Sequence, residues 1–280
     1  MQNFQDKVAA ITGAASGMGR QLAIQLAGYG SHLALADLDE AGLAETQALA
    51  RKANPAVKIS LRKLDVADRA AVFAWADESA REHGKVNLIF NNAGVGLSST
   101  AAGTKIEDFI WLMNINFWGV IHGTQAFMPH LQAAGEGHVV NISSLFGLLA
   151  APGSSAYHAA KFAVRGYTES LRQELDMMKC GVSATCVHPG GIKTAIAKHA
   201  RQDNNIAVLG IDPSTSKEKF SKNLVTSAEQ AAATILRAVR HNKRRVLVGK
   251  DAIVLDKIQR LFPAAYAVFI GMIVRRTYKN

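Results

Sequence analysis

Short apolar runs alternate along this chain with stretches of helical periodicity, and that alternation constrains the fold more than any other feature. The runs occupy residues 8–12, 32–36, 58–64, 86–91, 137–143, 182–187 and 245–249, with helical patterns between them. Strands separated by helices pair in parallel, and the helices cover both faces of the sheet. Runs such as Ala34-Leu-Ala36 and Asn87-Leu-Ile-Phe90 fit strands buried on both sides. The expected architecture is α/β, a doubly wound seven-stranded parallel sheet, with residues 1–280 forming one domain. In such sheets the loops that follow the strands gather along one edge, where ligands bind.

The first of those loops is rich in glycine. Lys7-Val-Ala-Ala-Ile-Thr12 reads as a strand, Gly13-Ala-Ala-Ser-Gly17-Met-Gly19 follows at once, and Leu22, Ala23, Leu26 and Ala27 then recur at helical spacing. Strand, glycine loop and helix together point to a dinucleotide site. Glycines let the backbone approach a pyrophosphate, and the helix N-terminus offers free N–H groups. Asp37 ends the next strand, about 20 residues on, where a carboxylate accepts hydrogen bonds from ribose hydroxyls and repels a 2′-phosphate. This favours NAD over NADP, with NADP kept open by Arg20 in the glycine loop.

Tyr157 and Lys161 stand four residues apart, one helical turn, so their side chains share a face. Free tyrosine titrates near pH ~10, and a neighbouring ammonium favours the phenolate. Such a pair is suited to moving a proton at neutral pH.

Taken in order, these motifs resemble the short-chain dehydrogenase/reductase family. Thr12-Gly-Ala-Ala-Ser-Gly-Met-Gly19 is similar to its coenzyme loop, Asp65-Val66 to its adenine contact and Asn91-Asn-Ala-Gly94 to the motif behind its central strand. Asn116 in Asn116-Phe-Trp-Gly119, Ser144 in Asn141-Ile-Ser-Ser144, Tyr157 and Lys161 match its catalytic set, and Pro189-Gly-Gly-Ile-Lys-Thr194 resembles the loop at the nicotinamide end. The resemblance implies a Rossmann-like fold and hydride exchange between NAD(H) and a secondary alcohol or ketone. In that scheme Tyr157 moves the proton, Lys161 lowers the Tyr157 pKa and holds the nicotinamide ribose, Ser144 binds the substrate oxygen, and Asn116 holds a water that links Lys161 to solvent. Gly119 favours Asn116 over Asn114, and spacing favours Ser144 over Ser143. The implied coenzyme contacts are Gly13, Ser16, Gly17, Met18, Gly19, Asp37, Asp65, Val66, Asn92, Ala93, Gly94, Tyr157, Lys161, Pro189, Gly190, Ile192 and Thr194. The family often pairs through the helices of Asn116 and Tyr157, which implies a homodimer or homotetramer.

Residues 191–227 are polar and mixed, and their position after the coenzyme loop marks them as a substrate lid. Val95, Leu145, Phe146, Leu148 and Ile192 flank the motifs and predict an apolar pocket wall, hence an apolar alcohol or ketone. An NADPH-dependent carbonyl reductase and a non-catalytic, membrane-associated dinucleotide-binding protein stand as alternatives. Residues 251–280 form a C-terminal extension, helical by pattern, in which residues 261–274 carry no charge and Arg275, Arg276 and Lys279 follow. That apolar tail reads either as a peripheral membrane contact or as a helix packed over the pocket or a dimer interface. The net charge of +10 is spread without a nucleic-acid-reading motif, so no nucleic acid is expected. Two cysteines and nine unclustered histidines predict neither a disulfide framework nor a metal site. The first residues have no apolar signal region, so a cytoplasmic location is expected.

Overall fold

In the computed structural model, which describes residues 1–194, 196, 199–222 and 224–278, seven parallel strands form the sheet that the alternation requires. They are β1 (Val8–Thr12), β2 (His32–Asp37), β3 (Ile59–Lys63), β4 (Leu88–Asn91), β5 (Gly137–Ile142), β6 (Val182–Pro189) and β7 (Arg245–Val248). Their spatial order is β7-β6-β5-β4-β1-β2-β3, so the winding direction reverses between β1 and β4 and opens a crevice there.

The period-two geometry of the strands divides the core in two. Ala9 and Ile11 of β1 face one side, with Leu33, Leu35, Phe90, Val140 and Val187. Helix α1 (Gly17–Gly28) covers that side through Leu22 and Leu26, as does α8 (Ala228–Arg240) through Ile235 and Val239. Val8 and Ala10 face the other side, with Ala34, Ile89, Val139 and Ala184. Helices α3 (Arg69–His83), α5 (Gly119–Ala133) and α6 (Ser155–Met178) close it with Val72, Trp75, Phe127, Leu131 and Leu175. The helix α2 (Glu40–Ala53) follows β2, and α4 (Ile106–Met113) runs through a π-helical turn, Asn114–Trp118, into α5. The sequence expectation that the strands are buried on both faces holds for the inner ones. It fails at the two edges, on β3 at Ser60, Leu61, Arg62 and Lys63 and on β7 at Arg245, Val246 and Leu247, which are at least partly exposed.

Residues 191–227 contain more structure than their polar composition suggests. Ile192–Lys193 pairs with Thr226–Ser227, Arg201–Gln202 pairs with Leu97–Ser98, and α7 (Pro213–Lys222) lies between. After β7 come α9 (Lys250–Leu261) and α10 (Tyr266–Tyr278); Lys279 lies outside the described residues.

A buried polar chain fixes the middle of the sheet. Asn91 Nδ2 donates to Asn141 Oδ1 at 2.8 Å and to Thr124 Oγ1 at 3.1 Å, and Asn141 Nδ2 donates to Thr168 Oγ1 at 3.0 Å. Helix α5 approaches because residue 123 is glycine; a Cβ there would sit 2.0 Å from Asn91 Oδ1. Gly123→Ala is expected to cost about 1–3 kcal/mol of folding stability through overpacking against this network. Urea unfolding measures the loss, and an unchanged midpoint would show that the chain of amides does not set the α5 position.

Candidate active site

The crevice between β1 and β4 is lined at the carboxyl ends of strands: Gly13 and Ser16 after β1 with Gly17 and Met18 at the start of α1 (Gly17–Gly28), Asp37 at the end of β2 with Leu38 after it, Asp65 and Val66 after β3, and Asn92 to Gly96 after β4. Thr194, Ile196 and His199 close it from the segment after β6. Gly13 and Gly17 have φ of +65° and +53°, which side-chain-bearing residues rarely adopt. Ser16 makes no side-chain cap at the start of α1, and the first turn holds no acidic residue. The helix therefore presents uncapped N–H groups and a positive dipole end to the crevice, a setting that fits a pyrophosphate. Gly19 does not line the crevice. It lets α1 close on the loop, since a Cβ would lie 2.1 Å from the Gly13 carbonyl oxygen.

The loop is held from beneath by a residue quoted in the motif but given no role by sequence reasoning. Thr12 Oγ1 accepts from Asn92 N at 3.0 Å and Ala93 N at 3.1 Å, and Asn92 Nδ2 donates back to the carbonyls of Thr12 and Gly13 at 2.9 and 3.0 Å. Asp37 accepts from Ala15 N at 3.0 Å and Asp39 N at 3.1 Å, so its carboxylate is fixed at the crevice wall. Arg20 turns away. It donates to the Ala15 carbonyl and Thr46 Oγ1 and pairs with Glu45 at 2.7 Å. His122 Nδ1 lies 3.0 Å from the Val66 carbonyl and holds the loop after β3.

The sequence-expected Ser144, Tyr157 and Lys161 lie where β5 meets α6. Lys161, 3% exposed, donates from Nζ to the Ile142 carbonyl at 2.9 Å. Its Nζ lies 5.6 Å from the centre of the Tyr157 ring. The Ser144 Oγ accepts from Phe146 N at 3.1 Å, which orients the hydroxyl, and the Ser144 side chain favours the charged form of Tyr157. Ser143 points the other way and donates to the Lys161 carbonyl at 2.8 Å. Phe146 meets the Tyr157 ring edge-on, with centroids 6.3 Å apart. His188 Nδ1 lies 3.0 Å from the Ser144 carbonyl.

Burial sets the electrostatics here. It lowers the Lys161 pKa to about 8 and raises that of Tyr157, which the Ser144 hydrogen bond partly offsets. Desolvation is the largest influence on the phenol, so its pKa lies above the ordinary value rather than below it, and the Lys161 ammonium donates to the Ile142 carbonyl.

Asn116 is fully buried in the π-helical turn, where its Oδ1 accepts from Val95 N and its Nδ2 donates to the Val95 carbonyl, both at 2.8 Å. This pins the loop after β4, and a Cβ on Gly94 would lie 3.2 Å from Asn116 Oδ1 and 3.7 Å from Lys161 Nζ.

Pro189, Gly190 and Ile192 stand back from the crevice. Ile192 packs in the sheet core with Val187 and Val248, and the crevice lining does not include it. Gly191 N donates 2.6 Å to Asp251 Oδ2, and a Cβ on Gly190 would lie 2.2 Å from the same oxygen. Asp251 thus grips the loop from α9, a contact with no local signal in the sequence.

Comparisons with known proteins agree with this geometry. A family model described as short chain dehydrogenase matches residues 7–205. The putative oxidoreductase SadH of Mycobacterium tuberculosis is 46% identical over 267 residues, 95% of this chain and 94% of that protein. Dehydrogenase/reductase SDR family member 7B of Xenopus tropicalis is 32% identical over 250 residues, 88% and 78% of the two chains. A short chain dehydrogenase/reductase from Burkholderia phymatum, solved in complex with NAD, matches with a TM-score of 0.85 at 29% identity, covering 95% of this chain and 97% of its own.

The buried ammonium makes a prediction about pH. Lys161 ordinarily titrates at 10.5 and in the fold at about 8. Between those values the unfolded chain holds more protons, so stability rises with pH across that window, and the burial penalty is complete below it. Wild type should therefore gain stability relative to Lys161→Met as pH rises from about 8 to about 10.5. Urea titrations at several pH values measure the gap; a pH-independent gap would contradict the buried, uncompensated ammonium.

Proposed function

Because this chain belongs to the short-chain dehydrogenase family, we propose that it is an oxidoreductase moving a hydride between NAD(H) and an apolar secondary alcohol or ketone, with Tyr157 as the proton donor and acceptor. The observation that carries this reading is the grouping of Ser144, Tyr157 and Lys161, with the Lys161 ammonium beside Gly94 of the crevice wall. When bound, the nicotinamide supplies or takes the hydride at the substrate carbon. Tyr157 meets the substrate oxygen: as the phenolate it takes the alcohol's proton in oxidation, and as the phenol it gives a proton to the carbonyl oxygen in reduction. Ser144 donates to the same oxygen and stabilises the charge that develops there. Lys161, held at the Ile142 carbonyl, keeps two further N–H donors for a ribose hydroxyl and for the phenolate as it forms. As negative charge appears on Tyr157, attraction to that ammonium offsets the desolvation that raises the phenol's resting pKa.

The preference for NAD rests on Asp37 and Arg20. The Asp37 carboxylate lines the crevice and has lone pairs left for ribose hydroxyls. Arg20, the cation nearest in sequence, is committed to Glu45 and the Ala15 carbonyl rather than to a 2′-phosphate. The residue after Asp37 is the exposed Leu38. An apolar substrate fits Phe146, which meets the Tyr157 ring, and Val95, which packs on the same apolar cluster as Tyr157. Residues 191–227 act as the lid over this end. A second copy pairs through the helices on either side, where Trp118 and Phe162 stand exposed.

Tyr157→Phe is expected to lower turnover about 10²- to 10⁴-fold while leaving the NAD dissociation constant nearly unchanged. Substantial residual turnover would remove Tyr157 from the proton step. Asp37→Ala is expected to shift the NAD-to-NADP ratio of kcat/KM by about tenfold or more, the loss of charge-assisted bonds to the ribose. Unchanged selectivity in initial-rate measurements would overturn the role given to Asp37.

A further inference from the structure

Helix α10 is amphipathic with its apolar face outward. Tyr266, Ile270 and Val274, at i, i+4 and i+8, face the body of the protein, and only Ile270 is buried. Val268, Phe269, Met272 and Ile273 form the opposite stripe, and Val268 and Met272 are 68% and 57% exposed. Arg276 continues that stripe one turn on. The connector adds Phe262, 58% exposed, and α9 adds Leu261, 72% exposed, with exposed Ile253 and Val254. Scattered apolar residues on a surface are ordinary, but a run of eight along two successive helices marks an interaction surface.

Charge selects what covers it. From residue 257 to the last there are five cations, Lys257, Arg260, Arg275, Arg276 and Lys279, and no acidic residue. Arg260 is paired with Asp256 at 2.9 Å, whereas no ion pair among the described residues involves Lys257, Arg275 or Arg276. A second copy meeting α10 symmetrically would bring its cations against their own copies, since α10 carries no carboxylate. An anionic bilayer supplies both needs, acyl chains for the apolar stripe and phosphates for the flanking cations. The uncharged stretch 261–274 has 14 residues, short of the ~20 needed to cross a bilayer, and among the described residues no helix is long and apolar enough to cross a membrane.

We infer that α9, the connector and α10 seat the protein on the surface of an anionic lipid bilayer, with the apolar stripe in the headgroup–acyl boundary. The inner side of the same module touches the substrate end of the crevice. Ala252, Leu255 and Tyr266 pack against Leu145, Leu149 and Phe146, and Tyr266 Oη accepts from Ala150 N at 3.3 Å. Lipid would thus lie beside Ser144 and Tyr157, and an apolar alcohol dissolved in it has a short path to the site. This last step rests on the oxidoreductase reading; the docking does not.

Co-sedimentation of the full chain with vesicles tests it, comparing phosphatidylglycerol–phosphatidylcholine mixtures with phosphatidylcholine alone at low salt. Wild type should bind the anionic vesicles about tenfold or more tightly than the neutral ones. The double variants Phe269→Glu/Met272→Glu and Arg275→Glu/Arg276→Glu alter exposed side chains, so both should fold. Each should lower vesicle binding about tenfold or more and leave turnover of a water-soluble secondary alcohol unchanged. Absent wild-type binding to anionic vesicles, or binding that survives both double variants, would overturn the inference. So would a wild-type dimer, indifferent to vesicles, that the apolar double variant converts to monomer. Vesicle binding by a chain that oxidises no alcohol would support the docking while sinking the catalytic reading.

Discussion

An ammonium group held out of water at the carboxyl end of β5 is the interaction on which the site depends. Burying a charge is costly unless hydrogen bonds or an opposite charge compensate. Lys161 has the Ile142 carbonyl at 2.9 Å and no carboxylate partner among the described residues, and its pKa falls to about 8 as a result. As a purely structural element this arrangement is poor, since an apolar side chain of similar length would fill the space at lower cost. Its sense lies in the chemistry proposed for it, an ammonium whose remaining donors are uncommitted beside a buried phenol. The surroundings are shaped to admit it. Gly147 lets the loop after β5 close on α6, where a Cβ would lie 2.6 Å from the Lys161 carbonyl oxygen. Ser143 fastens that carbonyl, and Gly94 leaves the ammonium room on the crevice side.

The rest of the crevice follows from the reversal of winding between β1 and β4. Two strands that run side by side while their helices depart to opposite faces leave their loops unfilled at the carboxyl edge. Thr12 and Asn92 cross-link those two loops with four hydrogen bonds, so the glycine turn is fixed before any ligand arrives. Asn116 does the same for the loop one step on, and it can because the π-helical turn sets its amide against both backbone groups of Val95. These side chains hold backbone donors and carbonyls in place, and Asn92 lines the crevice as well.

Much of this was legible in the sequence, for physical reasons. Parallel strands buried on two faces read as apolar runs, and a loop needing positive φ reads as glycine, as at Gly13 and Gly17. Residues that follow strands can be placed at one edge without knowing any contact, which is how Asp37, Asp65, Asn92 and Ser144 were grouped. What escaped depended on distance in sequence. Asp251 reaches Gly191 across 60 residues, and nothing local announces it. The direction of Arg20 depends on Glu45 and Thr46 in another helix, and the inward packing of Ile192 on the cores of β6 and β7. The sign of the Tyr157 shift was also beyond reach, because a pattern of residues shows a neighbouring charge but not how deeply the phenol is buried.

The most direct test of the central claim is the initial rate of wild-type protein on a panel of secondary alcohols, run in parallel with NAD and NADP. The panel spans apolar ring and chain alcohols, sugars and charged hydroxy acids. The account predicts turnover with NAD, concentrated on the apolar members. Tight NAD binding without turnover of any alcohol or of the matching ketones, or a clear preference for the charged or sugar substrates, would contradict it.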